Sequence, residues 1–274
     1  RAQVNLHLWH QMRPDAREIL KERIRAFEKT HPGITVMQLY KENEELRVGY
    51  QAAAAFTGGG PELVYGPSDF VGAFESMHII KPLEDVFPKA MLDQLDVKAH
   101  TVYRGHLYQI GDEIGNHLAL IWNKRLFRQA GLDRAPKTLD ELVEFGKKLT
   151  LDNNGDGVTD QYGLVWNYTE PFFFIPFYTS FGGWVMDDKG APALDNNASV
   201  RAFDYVLGLR DRARIIPREC DYEIADSKFT EARAAMIING SWAWSKYMDA
   251  LGADFGIAML PMNEETGLWA APMV

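Results

Sequence analysis

An α/β fold with mostly parallel sheets is predicted for this chain by three observations. Strand-period and helix-period segments alternate from the first residues onward. Short turn signals separate them, Pro32-Gly33 and Gly58-Gly59-Gly60-Pro61 being the clearest. The pattern starts afresh near residue 112, and a length of 274 residues is enough for about two domains.

The elements follow in order. Val4, Leu6 and Leu8 alternate with Asn5, His7 and Trp9, which is the period of a strand. Pro14 opens a helix carrying Ala16, Ile19, Leu20, Ile24 and Phe27 on one stripe. Ile34 to Leu39 is the next strand, Glu44 to Phe56 the next helix, and Glu62 to Tyr65 a third strand, after which Asp69 is placed to cap a helix. In the second region Leu118 to Trp122 is a strand and Asn123 begins a helix that Gly131 ends. Thr138 and Glu141 stand at capping-box spacing before Leu142 and Phe145. Helices are predicted over 198–213, 226–234 and 241–250, and strands over Tyr162–Val165, Ala235–Ile238 and Phe255–Met259. There is no internal repeat and no Gly/Ser tether, so two lobes would be joined by ordered strands.

Composition narrows the function. Hydrophobic residues make up 46% and charged residues 24%, the balance of a folded chain. Acidic residues exceed basic ones, 38 to 29, for a formal charge of −9, which argues against nucleic acid or an anionic membrane as partner. The single cysteine, Cys220, has no CxxC partner and reads as an unreactive thiol. The most apolar run, Phe172 to Val185, is broken by Pro176, Gly182 and Gly183 and falls short of the roughly 20 residues a membrane-spanning helix needs. GxSxG, HExxH and phosphate-loop motifs are missing, and the triple glycine at 58–60 runs into Pro61 instead of Lys and Ser/Thr. No cofactor for catalysis is expected.

Aromatic residues are numerous (Phe 15, Tyr 11, Trp 7) and clustered. The run Trp166-Asn167-Tyr168-Thr169-Glu170-Pro171-Phe172-Phe173-Phe174 mixes rings with a carboxylate, and Asn239-Gly240-Ser241-Trp242-Ala243-Trp244 sets two tryptophans at a helix start. Such mixtures suit carbohydrate, whose C–H faces stack on rings while its hydroxyls need charged or amide partners. Core packing is the alternative for each ring. A second motif, Asp152-Asn153-Asn154-Gly155-Asp156-Gly157-Val158-Thr159-Asp160, offers side-chain oxygens from Asp152, Asn154, Asp156 and Asp160 and the carbonyl of Val158 around a glycine turn. This is the first part of a calcium loop, so a structural calcium is a candidate. The position of the bidentate Glu is Gly163, and a purely polar turn is the alternative. Asp112-Glu113 are adjacent and, in an extended segment, point to different sides, unlike the facing carboxyls of a glycosidase.

Several stretches together resemble the extracellular solute-binding proteins of ABC transporters, of the maltose/maltodextrin-binding type. They are Phe27-Glu28-Lys29-Thr30-His31-Pro32-Gly33-Ile34; Gly60-Pro61-Glu62-Leu63-Val64 with Asp69 after it; Leu118-Ala119-Leu120-Ile121-Trp122-Asn123-Lys124 followed by Pro136-Lys137-Thr138-Leu139-Asp140-Glu141-Leu142; and Phe229 with Ala234-Ala235-Met236-Ile237-Ile238-Asn239-Gly240-Ser241-Trp242-Ala243-Trp244. The resemblance implies a two-lobe periplasmic-binding-protein fold that closes on a sugar. Residues 1–111 would form the first part of the N-terminal lobe, 112–259 the first part of the C-terminal lobe, and 260–274 the return to the N-terminal lobe. Family members continue beyond the point matching Val274, so a C-terminally incomplete copy of the fold is expected. Matched motif to motif, Trp242 falls where the family stacks a sugar ring, Glu170 and Phe172 on its Glu-Pro-aromatic element, and Asp69 on an aspartate that holds hydroxyls. Glu45 falls near an acidic contact. Asn116 stands where maltose binders usually carry a glutamate, and Gly66-Pro67 where some carry a tryptophan.

The expected function is therefore that of a non-enzymatic receptor. It takes a mono- or oligosaccharide, is exported to the periplasm or lipid-anchored at the outer cell surface, is monomeric when full length, and is read by a transporter permease. A carbohydrate-active hydrolase and a calcium-dependent scaffold module are the alternatives from other classes.

Overall fold

The strand that opens the sequence is the centre of the first sheet. In the computed structural model, which describes residues 3–56, 59–112 and 117–270, the chain separates into two compact units, Arg1–Ile114 and Gly115–Val274. In the first, β1 (Val4–His10) lies between β2 (Ile34–Tyr40) and β3 (Leu63–Tyr65), all parallel. Parallel neighbours need crossovers, which α1 (Pro14–Thr30) and α2 (Asn43–Phe56) supply. Pro14 is tolerated because the first helical turn has no use for its missing N–H. Next come α3 (Phe70–Ser76), the single turn α4 (Lys89–Leu92) and a hairpin of β4 (His100–Tyr103) and β5 (His106–Ile110). Arg104 and Gly105 join the two strands with φ of 50° and 85°, a hairpin turn with both central residues left-handed. The core of this unit gathers Leu46, Tyr50, Phe70 and Phe74, with the Tyr50 hydroxyl donating to the Ile79 carbonyl at 2.6 Å.

The second unit contains β6 (Leu118–Asn123), α5 (Lys124–Gln129), α6 (Leu139–Leu149), β7 (Tyr162–Val165), α7 (Ile175–Ser180), α8 (Asn197–Asp211), α9 (Tyr222–Thr230), β8 (Ala234–Gly240), α10 (Trp244–Leu251) and β9 (Phe255–Ala258). A short antiparallel pair, β10 (Met262–Asn263) and β11 (Leu268–Trp269), follows. The caps are those the sequence announces. Asn123 Oδ1 accepts from the backbone N–H of Arg125 and Leu126, and Thr138 Oγ1 from that of Glu141. The capping box is only half made, because the Glu141 carboxylate takes the Lys137 N–H at 2.8 Å and a two-pronged pair with Arg134.

The main sheet has the order β7-β8-β6-β9 and is buried on both faces. Leu118, Leu120, Leu164, Met236 and Ile238 face a layer carrying Phe127, Leu142, Leu149, Phe177 and Leu209. Their strand neighbours Ile121, Val165 and Ile237 face the other side, covered by Phe229 of α9 and Tyr247 of α10. Strands enclosed on both faces read as continuous apolar runs, which is why Leu118–Ile121 and Ala234–Ile238 carry no polar alternation.

Two expectations are corrected. Mostly parallel pairing holds throughout the first three-stranded sheet, whereas in the second unit only β7 and β8 pair in parallel. The reason is a single reversed strand: β7, β8 and β9 share a direction, and β6 runs against them between β8 and β9, so both of its ladders are antiparallel. Residues 260–270 do not return to the first unit. Leu260 and Ala270 are buried in the second unit's core, the Met262 N–H donates to the Lys137 carbonyl at 2.9 Å, and Thr266 Oγ1 donates to the Ser180 carbonyl at 2.6 Å. The apolar side chains and the unpaired backbone groups of this segment find their partners there, which fixes it. Residues 271–274 lie outside the described residues.

Strand β7 and helix α6 approach so closely at Gly163 that a Cβ there would sit 2.3 Å from the Gly146 carbonyl oxygen. Gly163→Ala is expected to lower the unfolding free energy by about 1–3 kcal/mol in chemical denaturation, because backbone cannot move aside as a side-chain tip can. An unchanged denaturation midpoint overturns that packing. The Arg134 guanidinium and the Lys137 N–H hold the Glu141 carboxyl down to about 2, against 4.5 for a free glutamate. Its contribution is therefore complete above pH 4.5 and lost as the pH falls toward 2. The melting temperatures of the native protein and Glu141→Gln should differ at neutral pH and converge across that window; a constant gap overturns the assignment.

Candidate functional site

Strands β7 and β8 are parallel neighbours, so the segments leaving their carboxyl ends lie side by side. In open α/β sheets this edge is where ligands bind. From β7 the chain runs through Trp166, which is buried, to a tight 3₁₀ turn at Pro171–Phe173. From β8 it runs into another at Ser241–Ala243, which projects Trp242. Phe173 is sealed in the core, whereas Phe172 and Trp242 are half-buried. Their ring centroids are 6.2 Å apart, and Phe173 meets the same indole edge-on at 6.4 Å. The indole folds back over the end of its own strand: a Cβ on Gly240 would stand 2.0 Å from Cζ3 of Trp242, so only glycine leaves room for the ring. Its Nε1–H donates to the Tyr222 hydroxyl at 3.1 Å.

Glu170 occupies the N-cap position of the 3₁₀ turn and is half-buried. Asn167 Nδ2 donates to Glu170 Oε2 at 2.9 Å, while Thr169 Oγ1 donates to Asn167 Oδ1 at 2.8 Å. This relay fixes the position of one carboxylate oxygen, Oε2. The second unit thus gathers Trp242, Phe172 and Glu170, as the sequence motifs suggested. It adds Asn167, Phe173 and Tyr222, which sequence reasoning did not single out as site residues. The only sequence signal for Tyr222 is its place directly after Asp221, whose side chain accepts from the Ile224 N–H and starts α9.

The first unit repeats the principle at the carboxyl ends of its parallel strands. Asp69 follows β3 and precedes α3, but its side chain makes no capping bond, contrary to the sequence expectation. Desolvation by the surrounding chain raises the Asp69 carboxyl above the ordinary aspartate value, and Glu44 pushes the same way, against a bond from its own backbone and the charge of Arg47, although the residue itself is exposed. Glu45 is exposed and accepts from Lys41 Nζ at 2.6 Å; that ammonium lies 4.8 Å from the centre of the Trp9 ring. Glu44, paired with Arg47 Nε at 3.1 Å, is therefore the α2 acid whose charge acts on Asp69. Asp112 accepts from the Tyr65 hydroxyl at 2.9 Å. Asn116 and Glu113 lie outside the described residues.

In the loop of residues 152–160 the oxygens are engaged with the loop's own donors. Asp152 accepts from the N–H of Gly155 and Gly157 at 2.8 and 2.9 Å, Asn154 Oδ1 from Asp156 at 2.9 Å, Asp156 from Val158 at 2.7 Å, and Asp160 from Asn153 at 2.8 Å. Among the described residues no three His, Cys, Asp or Glu side chains form a group able to hold a metal ion. The twelfth loop position is Gly163, where α6 leaves no space for a glutamate. The residues present therefore supply the first half of a calcium loop and not its bidentate ligand.

Other polar groups are structural. His10 is buried, its Nδ1 accepting from the Met12 N–H at 3.3 Å and its Nε2 lying 3.1 Å from Gln38 Oε1; burial lowers its pKa. Burial pushes the Cys220 thiol up to about 11, so it is not a nucleophile at neutral pH. A recess of about 560 Å³ is lined by Asp140, Arg201, Asp204, Arg212, Asn263 and Glu265 among others, and none of Trp242, Phe172 and Glu170 lines it. Its Arg201–Glu265 and Arg212–Asp204 pairs satisfy one another's charges.

Half-buried rings beside a carboxylate, at the carboxyl edge of parallel strands, are a candidate ligand surface of the kind α/β proteins carry there. Residues 13–271 match the model of the bacterial extracellular solute-binding proteins, and the chain belongs to that family. It is 48% identical to the maltose/maltodextrin-binding domain MalE from Bdellovibrio bacteriovorus bound to maltotriose, with a TM-score of 0.88 over 98% of this chain and 69% of that one. The Thermus thermophilus maltotriose-binding protein bound with maltotriose superposes with a TM-score of 0.75 at 26% identity, covering 96% of this chain and 69% of that one. The maltotriose-binding protein of Pyrococcus abyssi is 26% identical over 97% of this chain, and the galactooligosaccharide-binding protein of Bacillus subtilis 25% identical over 89%. The chain spans about half the length of these curated relatives, 56% and 57% respectively.

Backbone N–H groups, Gly157 first, hold the Asp152 carboxyl below the usual aspartate range. Removing it with Asp152→Ala should lower the melting temperature at neutral pH in the presence of a chelator, and the deficit should shrink as acid protonates the native side chain. An Asp152→Ala melting temperature equal to the native one under chelation overturns the hydrogen-bonding role of this residue.

Proposed function

We propose that the protein is the sugar-binding component of an ABC importer and that its ligand is a maltose/maltodextrin-like oligosaccharide. The carrying observation is the half-buried Trp242–Phe172 surface with Glu170 beside it. A pyranose offers an apolar face to such rings and hydroxyls to such a carboxylate. Support for the glucan class comes from a relative named for maltotriose and from the 48% identical maltose/maltodextrin-binding domain bound to maltotriose. The galactooligosaccharide-binding relative makes a galactoside the competing ligand to test. Asp69, in the first unit, is proposed as a further acceptor of sugar hydroxyls.

The protein acts as a receptor in this reading: it returns its ligand unaltered, works outside the cytoplasm, in the periplasm or anchored at the outer surface, and hands the sugar to a membrane permease. Family membership supports each of these. Prolonged incubation with maltodextrins followed by product analysis separates it from a hydrolase, for which shortened chains would be the sign. The candidate structural calcium of residues 152–160 is decided by adding calcium to metal-stripped protein: a saturating rise in melting temperature establishes it, and no rise assigns the loop to hydrogen bonding alone.

By calorimetry, Trp242→Ala should weaken maltotriose binding by about tenfold or more, which is about 1.4 kcal/mol, with the circular dichroism spectrum unchanged. Asp69→Asn should also weaken it. Unaltered affinity in Trp242→Ala removes this residue from the site, and no binding of maltotriose by the native protein overturns the reading.

A further inference from the structure

A hydrogen-bonded chain runs backwards from the half-buried indole into the second unit. Trp242 Nε1–H donates to the Tyr222 hydroxyl at 3.1 Å, and Asn239 Nδ2 stands 3.4 Å from the same oxygen. Asn239, buried at the end of β8, also donates to the Tyr247 hydroxyl at 2.7 Å, and that hydroxyl donates to Asp226 Oδ1 at 3.0 Å. The other oxygen of Asp226, itself buried, is bridged to Lys246 Nζ. Three elements contribute: α9 brings Tyr222 and Asp226, one helical turn apart, α10 brings Lys246 and Tyr247, and β8 brings Asn239.

Stacking on a sugar demands an indole plane held within about 10–20° of the productive angle. Packing alone does not fix that plane, because the torsion that turns the ring about its last bond is broad. Phe172 and Phe173 touch the indole at tilted and edge-on angles, which limits its translation and leaves its rocking to be stopped elsewhere. The Tyr222 hydroxyl is placed to stop it, and its own position is anchored through the buried network. On the sugar-binding reading proposed above, we infer that Tyr222 is a positioning residue whose hydroxyl locks the Trp242 indole in the plane that stacks on the ligand. The bond acts through preorganisation: it removes in advance the rotational freedom that binding would otherwise have to take from the ring.

Tyr222→Phe deletes the hydroxyl and keeps the ring. Maltotriose affinity should fall by about threefold to tenfold, the net worth of one such bond, with the melting temperature nearly unchanged. In a Trp242→Ala background the same substitution should have no further effect, since its whole influence passes through the indole. Equal losses in both backgrounds overturn the inference in favour of a direct or general role for Tyr222. Native affinity in Tyr222→Phe overturns it while leaving the sugar site intact, native affinity in Trp242→Ala overturns it by removing the indole from the site, and no maltotriose binding by the native protein sinks the functional reading instead. A ligand-free measurement stands beside these. The indole N–H signal of Trp242, assigned by its loss in Trp242→Phe, should exchange with deuterium several-fold faster in Tyr222→Phe; an unchanged rate shows that no bond to Tyr222 protects it.

Discussion

The enclosure of β8 on both faces is the constraint on which the second unit depends. Every residue from Ala234 to Gly240 is buried, so the strand cannot slide or tilt without exposing apolar surface on one side or the other. Its end point is therefore fixed, and with it the first residues beyond. Gly240 and Ser241 turn the chain immediately, and Trp242 emerges where the sheet stops. A ring mounted this way needs no loop to hold it.

The same enclosure explains how one cluster contains both core and exposed aromatics. Trp166 and Phe173 fill the layer beneath the strand ends, while Phe172 and Trp242 pack against that core and are only half-buried. The buried rings are the foundation of the half-exposed ones. Polar groups are handled likewise: Asn167 and Asn239 are buried but bonded, the first to Glu170 and the second to Tyr247, so the edge of the sheet carries directed polar contacts without an unpaired amide. The first unit, with a shorter sheet and the core Leu46, Tyr50, Phe70 and Phe74, places its acids by the same geometric rule and with a lighter foundation.

The loop at 152–160 shows how close two physical solutions are in sequence. Alternating Asp and Asn around glycine can wrap a cation or satisfy the N–H groups of a tight turn. The residue at the loop's twelfth position bears on the choice. Gly163 faces the backbone of Gly146, and that contact removes the space a closing glutamate would occupy.

Residue order by itself determined the alternation of strands and helices and the caps at Asn123 and Thr138, because these depend on local periodicity and on side chains bonding their own neighbours, while Trp242, Glu170 and Phe172 were singled out by motif resemblance and the meeting of Trp242 with Phe172 needed the pairing of β7 with β8. Only the tertiary structure decided the reversed direction of β6, the β4–β5 hairpin whose Arg-Gly turn lacks the usual Asn-Gly signal, and the attachment of residues 260–270 to the second unit. It also placed the Tyr222 hydroxyl where the Trp242 indole N–H donates to it. Each of these rests on contacts between segments far apart in the chain or on which way a side chain turns from its helix, and neither is encoded in the spacing of nearby residues.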